Sequence, residues 1–229
     1  MTHPENRLGA ASAGVPPRGP RALWSWASRN VSGRTPIWLI LGLCLLAFAL
    51  RVPGLSYQSL WRDEVDALRF ASRDLPGLLQ TFLTPGENGP LYYLLLNPWL
   101  EQAGRTEFAL RFFSVLFGVL AVALVYRVAR RLFGPTSPAG PVAALLAATS
   151  PYLVWYGQEG KMYALVVVLA LLSMDQFFAA MEGGGARHWV AYVAVTTTAY
   201  YVHLMAVLIV PVQIVIFCLY SREVRKARL

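Results

Sequence analysis

The residues with the most chemistry to offer stand in SLWRDEVDALRFA, residues 59–71, where Asp63, Glu64 and Asp66 follow the chain's first long apolar run. A positioned carboxylate can take the proton of a hydroxyl that attacks as a nucleophile, because that hydroxyl's own pKa lies far above neutral. Carboxylates can equally open a helix, where they face the positive end of the peptide dipoles. Spacing alone does not separate the two readings. A second group, YGQEGKMY over residues 156–163, places Gln158, Glu159, Lys161 and Tyr163 at the end of another apolar run. Ionisable groups so close to hydrocarbon are costly and default to function; the plain alternative is a wet turn at the membrane surface. Tyr92 and Tyr93 in NGPLYYLLL line a cavity or belong to an aromatic belt at the interface. Arg62 lies beside the acidic pair. Arg111 binds phosphate or snorkels, and His203 ends an apolar run that faces the same side.

The elements that position these residues belong to a membrane protein. The chain is 56% hydrophobic and 14% charged, with a mean hydropathy of +0.48, values that point away from an ordinary soluble core. A crossing needs roughly 20 apolar residues. Six runs are predicted to supply one each, all helical because backbone polar groups in lipid must be satisfied within the segment. They cover 36–50, 108–132, 141–156, 163–181, 189–202 and 205–220. Residues 1–35, Pro-rich and basic, read as a disordered tail, and 221–229 as a basic end.

Charge orients these spans. The net +8 gathers before the first span (Arg7, Arg18, Arg21, Arg29, Arg34), after the second (Arg127, Arg130, Arg131), before the fifth (Arg187) and after the sixth. One orientation puts all four clusters in the cytoplasm. Basic clusters flanking spans speak for topology and anionic lipid, not for nucleic acid. The connection over 54–106 then lies outside. It is far longer than usual, as functional loops are, and Trp61, Val65 and Leu68 recur at helical spacing, predicting an amphipathic helix at the interface. The apolar stretch 89–104 is short for a crossing and reads as interfacial or re-entrant. The cysteines, Cys44 and Cys218, fall in predicted spans and form neither a disulfide pattern nor a metal motif.

Five blocks in this order, LWRDEVDALRFA, NGPLYYLLL, TEFALRFFSVLFGVLAVALVYRVARRLFG, SPYLVWYGQEGKMYAL and YYVHL, resemble the amino-terminal half of GT-C glycosyltransferases. Within them the blocks look most like the bacterial branch with dolichyl-phosphate-mannose mannosyltransferase-like and aminoarabinose transferase-like proteins. The resemblance covers about residues 36–220 and implies an all-α polytopic membrane enzyme of which this chain is the amino-terminal half. It implies a polyprenyl-phosphate sugar donor, a lipid, glycan or protein acceptor, transfer on the outer face of the inner membrane, and inversion at the anomeric carbon.

By the same resemblance Asp63 or Glu64 is the catalytic carboxylate, with Asp63 the base and Glu64 assisting through acceptor or metal contacts. The substrate-binding set is Arg62, Tyr92, Tyr93, Arg111, Gln158, Glu159, Lys161, Tyr163 and His203. A divalent cation, magnesium or manganese, could sit on Asp63 or Glu64 with the donor phosphate. Two departures stand out. Lys161 occupies a position where relatives carry arginine, and a lysine holds phosphate as a point charge without the bidentate fork. Asn88, Gly89 and Pro90 replace the usual His-Pro-Pro. The competing readings are a transporter or lipid flippase, for which broken helices and inverted repeats at the midplane are expected, and a non-catalytic scaffold.

Overall fold

The computed structural model describes residues 37–84 and 88–226, with side chains as far as Leu219. The expected tail over 1–35, Glu87 and the last three residues of the basic end lie outside the described residues. Among the described residues the chain is all helix and turn. Helix α1 spans Ile37–Arg51, α2 Arg62–Ala71, α3 Leu75–Gln80, α4 Pro90–Ala103 and α5 Glu107–Phe133. There follow α6 over Ala139–Thr149, α7 over Pro151–Gln158, α8 over Tyr163–Met181 and α9 over Ala186–Val202. A 3-10 turn, Leu204–Leu208, leads into α10, Ile209–Lys226.

Helices α5 and α8 are each long and apolar enough to cross a membrane; α1, α6 and 204–219 are shorter apolar segments. α5 is the central post, packing against α1, α4, α6, α7 and α8. Its start is specified locally, since the Thr106 side chain accepts the Ala109 N–H at 3.1 Å and thereby satisfies one of the free amides of the first turn. The apolar run 141–156, expected as one helix, is two. Pro151 has no N–H to donate and disfavours helical backbone at Ser150 before it; Ser150 is extended at ψ 119° and caps α7 by accepting the Leu153 N–H.

The break leaves carbonyls at the end of α6 without helical partners, and Arg51 fills them. This residue, buried at the last turn of α1, donates through Nη1 to the Ala47 and Ala148 carbonyls and through Nη2 to that of Ala147, at 3.0–3.1 Å. Its stem lies between Gly118 and Gly157, where a Cβ would stand 3.1 and 2.9 Å from Nε. Any larger residue there would displace the guanidinium.

The long connection 54–106 is a packed cap. Ala67 and Ala71 of α2, Leu78 of α3 and Tyr92, Tyr93, Leu96 and Leu100 of α4 form one core with Leu110 and Phe113 of α5, Met162 and Leu165 beside α8, and Val202. The Asn97 amide donates to the Ala71 and Arg73 carbonyls at 2.8 and 3.3 Å, tying α4 to the end of α2. The Trp99 indole donates to the Ala109 carbonyl at 2.8 Å, tying α4 to α5. Helix α2 is amphipathic as expected, but its inner face is not the apolar set Trp61, Val65 and Leu68. Glu64, Ala67 and Ala71 are buried, whereas Trp61 and Val65 are exposed. The charged residue goes inward because an arginine waits beneath it.

Candidate active site: an occupied glutamate beside an open aspartate

That arginine is Arg111, in the second turn of α5, and with Glu64 it forms a closed unit. Arg111 donates from Nε to Glu64 Oε1 at 2.9 Å and from Nη2 to Oε2 at 2.6 Å, a two-point pairing that suits the planar guanidinium. Its other N–H groups go to the carbonyls of Leu55, Gln58 and Ser59, at 2.7, 2.8 and 3.3 Å. All five N–H groups of an arginine are thereby spent. Glu64, 1% exposed, accepts further N–H bonds from Gly160 at 2.8 Å and Trp61 at 3.4 Å. Two oxygens with about four acceptor positions are then filled. Burial pushes the Glu64 carboxyl upward, but the bonds from Arg111 and Gly160 and the arginine's charge outweigh it and hold the group below its ordinary value of 4.5.

Glu64 is thus an anchor between three segments, α2, α5 and the turn at Gly160. The glycine is required there, since a Cβ would lie 2.5 Å from Leu110 Cγ and 3.2 Å from Glu64 Oε1. A carboxylate so filled has no lone pair to offer a proton or a cation. Arg111, expected to bind phosphate or to snorkel, has no N–H left for a phosphate either.

Asp63, one residue earlier, is the contrast. It is half-buried, and no hydrogen bond or ion pair engages it among the described residues. Its charge is felt by Glu159 across the turn. Arg62 is exposed, on the outer side of the same helix end.

The 156–163 turn brings the next group. Lys161 is set by its backbone: its N–H donates to the Glu159 carbonyl at 2.8 Å and its carbonyl accepts from the Ser114 hydroxyl at 3.1 Å. No ion pair holds its ammonium among the described residues. Glu159 accepts the Trp155 indole N–H at 2.8 Å through Oε1, while Oε2 is shielded and without a hydrogen bond. Burial pushes its carboxyl up; the Trp155 bond pulls down, and the charges of Glu64 and Asp63 push up again. Gln158 donates to the carbonyls of Arg51 and Pro53 at 3.1 and 3.0 Å, so its amide fastens α7 to the end of α1.

His203 reaches the same place from α9. Its ring lies 6.2 Å from that of Tyr163, which in turn meets Tyr156 edge-on at 5.2 Å. His203 Nδ1 accepts the Met205 N–H at 3.1 Å, which puts the neutral ring's proton on Nε2. Burial, and then the charge of Lys161, lower its pKa from 6.5. The departure at Asn88 finds its explanation here, for the Asn88 side chain accepts the Leu204 N–H at 3.1 Å and holds the backbone next to His203. Gly89, at φ +82°, lets that asparagine precede α4; a Cβ on it would stand 2.7 Å from Met162 and 3.0 Å from the Val202 carbonyl.

Tyr92 and Tyr93 are buried in the core of the cap, Tyr93 stacked on Phe70 at 5.2 Å, and neither lines the cavity beside Glu64. That cavity, of about 540 Å³, opens between the 53–61 turn and α7. Lys161, Tyr163 and His203 take no part in its lining. Of the two carboxylates expected to hold a cation, Glu64 is filled and Asp63 keeps its lone pairs; no three His, Cys, Asp or Glu side chains gather among the described residues.

The family model for dolichyl-phosphate-mannose-protein mannosyltransferases matches residues 87–229. The chain belongs to this family. No curated protein and no solved structure matches the chain. Membership in the mannosyltransferase family, together with the apolar helices, makes this a membrane protein with glycosyltransferase activity in general terms. The matched stretch carries Arg111, Glu159, Lys161 and His203, while Asp63 and Glu64 stand upstream of it. The Glu64–Arg111 pair therefore joins the acidic helix to the part of the chain the mannosyltransferase model covers. Sequence reasoning passed over Arg51, Ser114 and Gly160. Only a glycine pinned between two polar residues in QEGK hinted at the last.

Proposed function

We propose that the chain transfers a sugar from a polyprenyl-phosphate donor to an acceptor hydroxyl by a single displacement with inversion, with Asp63 as the base. The observation that carries this is the difference between neighbours: Glu64 is filled by Arg111, Gly160 and Trp61, and Asp63 beside it has free lone pairs. The acceptor oxygen attacks the anomeric carbon as the bond from that carbon to the phosphate oxygen breaks. The electron pair leaves with the polyprenyl phosphate, and the hydroxyl proton passes to Asp63. Lys161 holds the donor phosphate as a point charge. His203 donates from Nε2–H to the same phosphate and stays neutral there because of burial and Lys161. Glu64 and Arg111 are positioning residues.

In this reading α1, α5, the α6–α7 pair, α8, α9 and the 204–226 segment cross the inner membrane, and the cap over 54–106 faces outward. The arginines at the far end of α5 support that orientation. Cysteines placed at Ser72 and at Gly134 then differ, the first labelled from outside intact cells and the second not; the reverse pattern overturns the orientation. The chemical test uses membranes supplied with a polyprenyl-phosphate sugar. Asp63→Asn keeps the side chain's shape and loses the basic oxygen, so transfer falls by about 10²–10⁴ while donor binding persists. A loss under about tenfold in a folded variant removes Asp63 as the base.

A further inference from the structure

The cavity between the 53–61 turn and α7 has no role in the steps above. Its lining is unusual for a membrane surface in the way its charge is spent. Arg111 is its one cation, and every N–H it has is committed to Glu64 and to loop carbonyls. With Glu64 and Glu159 also in the wall, the lining carries a net negative charge and no free donor of positive charge. No side-chain cation of the lining is free to hold a phosphate or carboxylate. What the cavity does offer is aromatic surface and acceptors. Trp61 and Trp155 line it at 47% and 60% exposure. The Trp155 ring is held in place by its N–H bond to Glu159 Oε1, and Glu159 Oε2 is left shielded with no hydrogen bond. About 540 Å³ lies within the roughly 300–1,000 Å³ of small-molecule sites.

Flat apolar rings beside oxygens that accept O–H bonds suit a ligand with an apolar ring face and hydroxyls at its edge. We infer that this cavity is the acceptor subsite and that the acceptor is an uncharged carbohydrate, its ring on Trp155 and Trp61 and a hydroxyl donating to Glu159 Oε1, which already accepts the Trp155 N–H and has a second acceptor position. This rests on the displacement proposed above for the group that attacks. The placement is consistent with that step: Lys161 and His203, assigned to the leaving phosphate, are outside the cavity, and Asp63 stands one residue from Glu64 and two from Trp61, which line it.

The test is binding to the full chain in lipid nanodiscs, read by indole fluorescence and by saturation-transfer NMR. The probes are methyl glycosides of glucose, mannose and galactose and their α- and β-linked disaccharides. The expected result is saturable binding of at least one disaccharide, weakened about tenfold or more by Trp155→Ala and much less by Trp155→Phe. Asp63→Asn and Lys161→Ala should leave that binding in place. Absence of saturable binding by every probe overturns the subsite, as does binding that Trp155→Ala leaves unchanged. Protection of Trp155 by short-chain phosphatidylcholine with no sugar effect also overturns it and makes the cavity a lipid seat. Sugar binding that depends on Trp155, combined with transfer that survives Asp63→Asn, would remove the proposed base and leave the subsite standing. Loss of transfer in Asp63→Asn without sugar binding removes the subsite alone.

Discussion

Helix α5 holds a buried carboxylate against arginine at each end, and the two ends close differently. At the amino-terminal end one arginine meets one glutamate, both are buried, and backbone groups from five further residues complete every bond either can make. At the carboxy-terminal end Asp175 of α8 is fully buried but shared between Arg127 and Arg131, at 2.9 and 3.0 Å, and Arg127 keeps 58% of its side chain exposed. Arg131 also reaches Glu182, itself half exposed. The amino-terminal unit is sealed and can only position its neighbours. The carboxy-terminal one is a solvated network in which each arginine has somewhere else to go. Having a buried ion pair does not mark a reactive group; the open carboxylate beside the sealed one does.

The sharpest way to break the comparison is Arg111→Ala. It strands Glu64 in the interior, and an uncompensated buried charge costs about 3–5 kcal/mol. Thermal unfolding in detergent should show that loss, and transfer should vanish with it. Arg111→Lys should not rescue either one, because an ammonium cannot reproduce the two-point pairing or reach three loop carbonyls. A milder break comes from acid. Because the folded state holds Glu64 below 4.5, its stabilisation is complete above pH 4.5 and is lost as pH falls through the lowered folded value. Protonation leaves Arg111 its loop carbonyls, so the effect is smaller than that of Arg111→Ala. Glu64→Gln should flatten this acid limb of the stability curve.

Asp175→Asn at the carboxy-terminal end of α5 should cost less again, about 1–3 kcal/mol, since Arg127 and Arg131 can turn to water, and transfer should fall only in step with folded protein. Glu182→Gln is the smallest, at about 0–1 kcal/mol for an exposed pair, and raising salt should erase it. An effect of Asp175→Asn as large as that of Arg111→Ala would mean that both ends are sealed alike.

The sequence disclosed these two ends unequally. Long runs such as 107–133 and 163–181 are legible because hydrocarbon imposes length and composition together, and the amphipathic α2 shows in its spacing. What separates Asp63 from Glu64 is not local. It depends on Arg111, 47 residues on, and on Gly160, 96 residues on. Adjacent carboxylates look alike until those partners arrive. Tyr92 and Tyr93 were ambiguous for a related reason, since a buried aromatic core and an interfacial belt use the same residues. The break at Ser150–Pro151 is written in the proline, but an apolar run on both sides concealed it.

Arg51 has a history as well as a place. The chain is made from its amino terminus, and the carbonyls of Ala147 and Ala148 that receive this guanidinium are synthesised 96 and 97 residues after it. For that interval α1 carries a cation whose chief partners do not yet exist, at an end that cannot sink into hydrocarbon without cost. Arg51 gains its chief partners only once the end of α6 has been made, so the first helix and the break before Pro151 are joined by a contact that neither segment carries alone.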